Sequence, residues 1–147
     1  MTKLNDSIGR LAGLAPLVLR LTIGGLMAYH GFSKLFGGLD GVTGMFEMME
    51  VPGAAAAAPI VTFIEIIAGL ALIAGIATRI AAGLLSIVLL GALVLVKVDL
   101  GIISSGPMPG AELDLALLAG LLALVLMGPG DVSADRALGL ERAPAAV

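Results

Sequence analysis

The chain has no cysteine and no tryptophan, one histidine, one tyrosine, and charge on only 13% of its 147 residues. Without cysteine it can neither exchange disulfides, present a thiol nucleophile, ligate an iron–sulfur cluster nor attach a c-type haem. One histidine with no thiol beside it excludes a self-contained structural zinc site and a bis-histidine haem. The formal net charge of −3 and the lack of a basic patch argue against a nucleic-acid partner. Soluble domains charge roughly a quarter of their residues. Here apolar residues take that place: 59% are hydrophobic and the mean hydropathy is +1.13, the composition of a protein embedded in a lipid bilayer.

The length suits one domain, with spans predicted over about residues 14–32, 57–78, 80–98 and 112–127. Pro16 fits the first turn of the first helix. Arg20 interrupts that apolar run and no small-residue cleavage site follows, so it does not read as a cleavable signal. Only Thr78 and Arg79 separate spans two and three, which predicts a tight hairpin. Gly24 with Ala28, Ala71 with Gly75 and Ala116 with Gly120 place small residues four apart, a spacing that lets helices approach closely in lipid. The expected fold is all-α: an integral membrane four-helix bundle over residues 1–136, with a flexible tail over 137–147. No strong repeat relates the two halves, which weakens an inverted-repeat transporter reading.

Lysine and arginine counts orient the bundle. Lys3, Arg10, Arg20, Arg79, Arg136 and Arg142 fall on the side of both termini, Lys34 and Lys97 on the other. Both termini are therefore expected in the cytoplasm of a multi-pass protein of the bacterial inner membrane. The acids divide the opposite way: Asp6, Asp131, Asp135 and Glu141 inside; Asp40, Glu47, Glu50, Glu65, Asp99, Glu112 and Asp114 outside. Tyr29, Phe32, Phe36, Phe46 and Phe63 also lie in the outer half.

At about 100° per residue, Arg20, Gly24, Met27, His30, Gly31 and Lys34 share one arc of the first helix, and Thr62, Glu65, Gly69, Leu72, Ile76 and Arg79 form a stripe on the second. Ionisable arcs should face the bundle interior, because a charge facing lipid costs about 3 kcal/mol or more. Arg20 and Glu65 are expected about 6 Å to opposite sides of the midplane, at about 1.5 Å per residue, and so make poor partners. His30 lies near the level of Glu65, and Lys34 one turn beyond. The main predicted pair is His30 with Glu65, Lys34 next in line. Such a pair can fix helix register or do chemistry. Arg20 reads as an anchor or a tie to Ser86, Arg79 as a positive-side anchor, Lys97 and Asp99 as water-contacting, and Glu112 and Asp114 as acids favoured by the dipole at a helix start.

In the first outer loop, Val42, Met45, Phe46 and Met49 recur at helical spacing opposite Thr43, Glu47 and Glu50. Residues 40–50 thus read as a short amphipathic helix that either lids the polar mouth or lies at the interface. Thioether copper binding by Met45, Met48 and Met49 is the weaker reading beside packing.

The segments Leu19-Arg20, Tyr29-His30-Gly31-Phe32-Ser33-Lys34-Leu35-Phe36-Gly37, Phe63-Ile64-Glu65-Ile66-Ile67-Ala68-Gly69, Gly75-Ile76-Ala77-Thr78-Arg79 and Met127-Gly128-Pro129-Gly130-Asp131-Val132-Ser133-Ala134-Asp135 together resemble the DoxX family of bacterial membrane proteins. The resemblance covers about Leu14 to Arg136. It implies a four-helix inner-membrane protein, related to the membrane subunit of thiosulfate:quinone oxidoreductase and linked to redox or oxidative-stress systems. In actinobacteria it implies an anchor for a complex with a sulfurtransferase and a superoxide dismutase. The matching positions are Arg20, His30, Lys34, Glu65, Arg79 and the Gly128–Asp135 segment.

The leading functional expectation is a membrane subunit of a quinone-linked oxidoreductase. A quinone needs an apolar slot reached from lipid and a hydrogen-bonding, proton-exchanging group at its carbonyl. His30 and Glu65 are the candidate catalytic pair; Arg20, Lys34, Phe63 and Arg79 are candidate binding residues, with Phe32 and Phe36 as further ring contacts. No covalent cofactor or metal is expected, so electrons must come from a partner or a bound small molecule. The alternative is a non-catalytic anchor or assembly subunit of a larger respiratory or oxidative-stress complex. Passage of protons or solutes ranks last, because the inner half offers only Arg20, Thr22 and Ser86. Expected partners are the bilayer and other membrane or redox proteins, with homo-oligomerisation open.

Overall fold

The computed structural model describes residues 12–97, 101–103 and 110–141. Lys3, Asp6, Arg10, Asp99 and Arg142 of the charge count, and residues 142–147 of the tail, lie outside the described residues. Every regular element among the described residues is helical. A 3₁₀ turn, Ala12–Leu14, leads into α1 (Ala15–Gly37), followed by α2 (Leu39–Met48), α3 (Ala54–Ala74), α4 (Thr78–Leu95), α5 (Glu112–Met127) and the one-turn α6 (Ala134–Ala137).

Three of these, α1, α3 and α4, are long and apolar enough to cross a membrane. The fourth expected span has the predicted bounds in α5, but its 16 residues reach only about 24 Å at about 1.5 Å per residue, short of a hydrocarbon core of about 30 Å. The first helix runs five residues past the predicted end of its span, because Ser33 and Lys34 end the apolar run without ending the helix. Gly75, at φ 71°, ends α3 in the left-handed conformation, and its N–H bonds back to Leu72 O at 3.1 Å; this stops the helix before Thr78.

α1 packs along α3, and α4 along α5, each pair antiparallel. The α1–α3 contact is as close as backbones allow: a Cβ on Gly24 would lie 2.7 Å from Gly69 O, and one on Gly69 would lie 2.7 Å from Ala28 N. Without a hydrophobic drive between helices in lipid, such approach is what gives the pair its van der Waals contact. Of the small-residue pairs read from the sequence, Gly24 and Ala28 sit in this contact, with Gly69 as their counterpart. The buried core then draws on all four long helices, with Ile23 and Met27 from α1, Ala68 and Leu72 from α3, Ala82 and Leu85 from α4, and Leu121 and Leu124 from α5.

Candidate functional site

Helical periodicity decides which side chains of α1 turn inward. Its buried residues are Pro16, Arg20, Ile23, Gly24, Met27, Ala28 and Gly31. At about 100° per residue, His30 falls just beyond the edge of that face and is exposed. Lys34, nearer the middle and on a longer stem, reaches Glu65 of α3 instead: Lys34 Nζ donates to Glu65 Oε1 at 2.6 Å. Glu65 is only 4% exposed, and its other oxygen, Oε2, takes no hydrogen bond from the described residues. The ion pair is therefore Lys34–Glu65 rather than His30–Glu65.

Beside this pair the end of α1 and the returning α2 border an open cleft of about 390 Å³, with Tyr29, His30, Ser33 and Lys34 on one wall and Val42 and Met45 on the other. His30, Ser33 and Lys34 supply hydrogen-bond donors to it. A second shallow hollow on α1 holds Phe32 and Phe36, whose rings stack at 5.9 Å and 14°. Phe63 is exposed on α3 and lines neither hollow.

The other predicted residues gather at the far end. Arg20 is 1% exposed. Its guanidinium donates to Leu72 O at 2.9 Å, Ile73 O at 3.2 Å, Pro129 O at 2.6 Å and Val132 O at 2.8 Å. The last carbonyls of a helix have no partner within it, and two of these acceptors come from that end of α3. Ser86, proposed as the tie, instead donates its hydroxyl to Ala82 O of its own helix at 2.8 Å. Arg79 repeats the motif on the second hairpin: its guanidinium donates to Val125 O and Leu126 O at the end of α5 and pairs with Glu141 at 3.0 Å. Arg20 reaches the last turn of α3 while Glu65 sits about two turns earlier, near the middle of that helix, so the two do not pair, and Arg20 and Arg79 share no acceptor.

Sequence reasoning assigned no particular role to Asp135, which is 1% exposed. Ala77, which precedes α4, has no side chain able to cap the helix, and Asp135 does so from a distance. Its carboxylate accepts the Ala77 N–H at 2.7 Å, the Thr78 N–H at 2.9 Å and the Thr78 hydroxyl at 2.9 Å. Burial by itself would push this carboxyl up. The three hydrogen bonds and the Arg20 charge outweigh it and hold the group below the usual carboxylate range. The signal available in the sequence was the uncapped start of α4. Lys97 likewise does more than meet water, donating to Gly110 O at 2.9 Å and pairing with Asp114 at 2.5 Å. Among the described residues no group of three or more His, Asp or Glu is placed to hold a metal.

A chain that is all-helical among its described residues, with three membrane-length helices and a carboxylate turned inward onto a lysine, is a membrane protein. Residues 15–98 match the DoxX family model, and the chain belongs to that family. It is 34% identical over 130 residues to "Uncharacterized membrane protein Rv3486" of Mycobacterium tuberculosis, covering 83% of this chain and 80% of that protein. It is 32% identical over 122 residues to "Putative oxidoreductase CatD" of Bacillus subtilis, covering 83% of this chain and 85% of that one. No solved structure gives a significant match.

Proposed function

We propose that this chain is the membrane subunit of a quinone-linked redox complex in the bacterial inner membrane, its four long helices forming a bundle with both termini cytoplasmic. In this reading α5 completes the bundle as a fourth crossing, and α2 lies at the outer interface as an amphipathic roof over the α1–α2 cleft. The observation that carries it is the Lys34–Glu65 pair at the edge of that cleft. A carboxylate buried this deeply is costly in an apolar surrounding unless paired, and intramembrane ionisable groups are functional candidates by default. The name of the Bacillus subtilis relative supports a redox association.

The residues fit a neutral carbonyl-bearing ring. His30, Ser33 and Lys34 can donate to its oxygens, while Glu65 fixes the Lys34 ammonium, which can pass a proton to a ring oxygen as the ring is reduced. When bound, a quinone would supply the two-electron, two-proton chemistry that these side chains lack, with electrons delivered by a partner protein. The anchor reading draws on one specific observation: Arg20, Arg79, Lys97 and Asp135 are all committed to ties between elements.

The test is quinone retained by protein purified in mild detergent, measured by solvent extraction and absorbance. Wild type should retain it, while Glu65→Gln and Lys34→Met should lower retention at least tenfold with membrane insertion unchanged. Equal retention in all three, alongside capture of a soluble partner, would favour the anchor.

A further inference from the structure

The glycines of α1 and α2 are of two kinds. At Gly24 and Gly31 an added Cβ would press on α3 backbone, 2.7 Å from Gly69 O and 2.9 Å from Thr62 O, so packing demands glycine there. At Gly37 and Gly41 a methyl group would meet no neighbouring group within 4 Å. Neither has a positive φ. Alanine is the better residue in a helix, so neither backbone conformation nor packing within the chain calls for glycine at these two positions. Both line the α1–α2 cleft, Gly37 on the α1 wall that carries the donors His30 and Lys34, and Gly41 on α2.

Charge narrows the occupant. Lys34 already has its counter-ion in Glu65 at 2.6 Å, so the pair is neutral as a unit. An anionic headgroup brought to Lys34 would also approach the Glu65 carboxylate, and like charges in a poorly screened site repel. A neutral ring whose edge oxygens accept hydrogen bonds suffers no such penalty. Ligand pockets commonly hold about 300–1,000 Å³, and this cleft holds about 390 Å³.

We propose that Gly37 and Gly41 set the clearance of the α1–α2 cleft, which takes a neutral, flat, carbonyl-edged ring from the lipid phase and discriminates against anionic lipid headgroups. The inference rests on the quinone reading above and names the residues that give that site its shape. The side chains at these positions are absent so that a ring face can lie against backbone.

The chain carries its own reporter. Tyr29 is the only tyrosine, there is no tryptophan, and Tyr29 lines the cleft. Full-length protein in detergent is titrated with menadione while tyrosine fluorescence is followed. Free tyrosine amide in the same detergent corrects for absorbance. Wild type should quench saturably. Gly41→Ala and the Gly37→Ala/Gly41→Ala double variant should raise the Kd tenfold or more while melting no lower than wild type. Gly44→Ala is the control: it lies on the same helix, is equally open and is outside the cleft, so it should bind as wild type does. Excess phosphatidylglycerol should leave the wild-type Kd unchanged. Wild-type affinity in both Gly41→Ala and the double variant would overturn the clearance role while leaving the quinone site standing. Displacement of menadione by phosphatidylglycerol would overturn the neutral occupant. Absence of saturable quenching in wild type would remove both this proposal and the quinone reading beneath it.

Discussion

Gly24 and Gly25 are adjacent on α1 and should respond to the same substitution with opposite sign. Glycine to alanine in a helix interior gains about 0.5–1 kcal/mol from backbone entropy, and that gain is common to both. At Gly25 the methyl group meets nothing within 4 Å, so Gly25→Ala should be neutral to stabilising. At Gly24 it meets Gly69 O at 2.7 Å and Leu72 Cβ at 3.0 Å, where the first neighbour is backbone and cannot rotate away. Forcing the helices apart there costs about 1–3 kcal/mol, the usual range for overpacking. Because the shared gain cancels, the difference between the two variants isolates the steric cost. At roughly 2–4 °C per kcal/mol for a chain of this size, the midpoints should separate by several degrees, with Gly24→Ala the lower. Thermal denaturation in one detergent, followed by circular dichroism at 222 nm (about the helical minimum), reads this directly. Equal midpoints would mean that α1 and α3 do not meet backbone to backbone, and the close approach that fixes the facing of Lys34 toward Glu65 would fall with it.

Two further outcomes follow from the opposite end of the bundle. Arg20→Gln removes the cation that holds four carbonyls and should cost about 3 kcal/mol or more, since hydrogen bonds to a charged group contribute about 1.5–3 kcal/mol each; limited proteolysis after Pro129 should become faster as the loop is released. Asp135 has a lowered folded-state value, so the stability it contributes is complete above the ordinary carboxylate value of 3.8 and is lost as pH falls through the lower folded value. Asp135→Asn should therefore reduce stability at neutral pH and flatten the acid limb of a denaturation-versus-pH curve; an unchanged acid limb would show that another group controls it.

The helices themselves were legible because apolar runs are local properties. Pro16 opens α1 as expected, whereas the stop at Gly75 was passed over and span two was carried on to Thr78. The site was legible only to within one helical turn. His30 and Lys34 differ by about 40° in helical phase, and a periodicity argument cannot choose between them without knowing where the centre of the buried face lies. That centre is set by Gly24 and Gly31 lying against α3, a contact between segments distant in the chain. Asp135 was illegible for a related reason, since its partners Ala77 and Thr78 are 58 and 57 residues away. The end of α1 was missed because Lys34 ends hydrophobicity without ending helix.

The two arginine clasps bear on the order in which the chain can assemble. Arg20 closes α1 onto the end of α3, and Arg79 closes α4 onto the end of α5, so each hairpin can latch as soon as its second helix has emerged from the ribosome. The polar bonds that cross between hairpins join Arg20 to Pro129 O and Val132 O, and the Asp135 N–H to Gly75 O; Pro129, Val132 and Asp135 are translated after every long helix. The bonds between the two hairpins can therefore form only once the segment after α5 has been made, and that segment is the stitch that joins them.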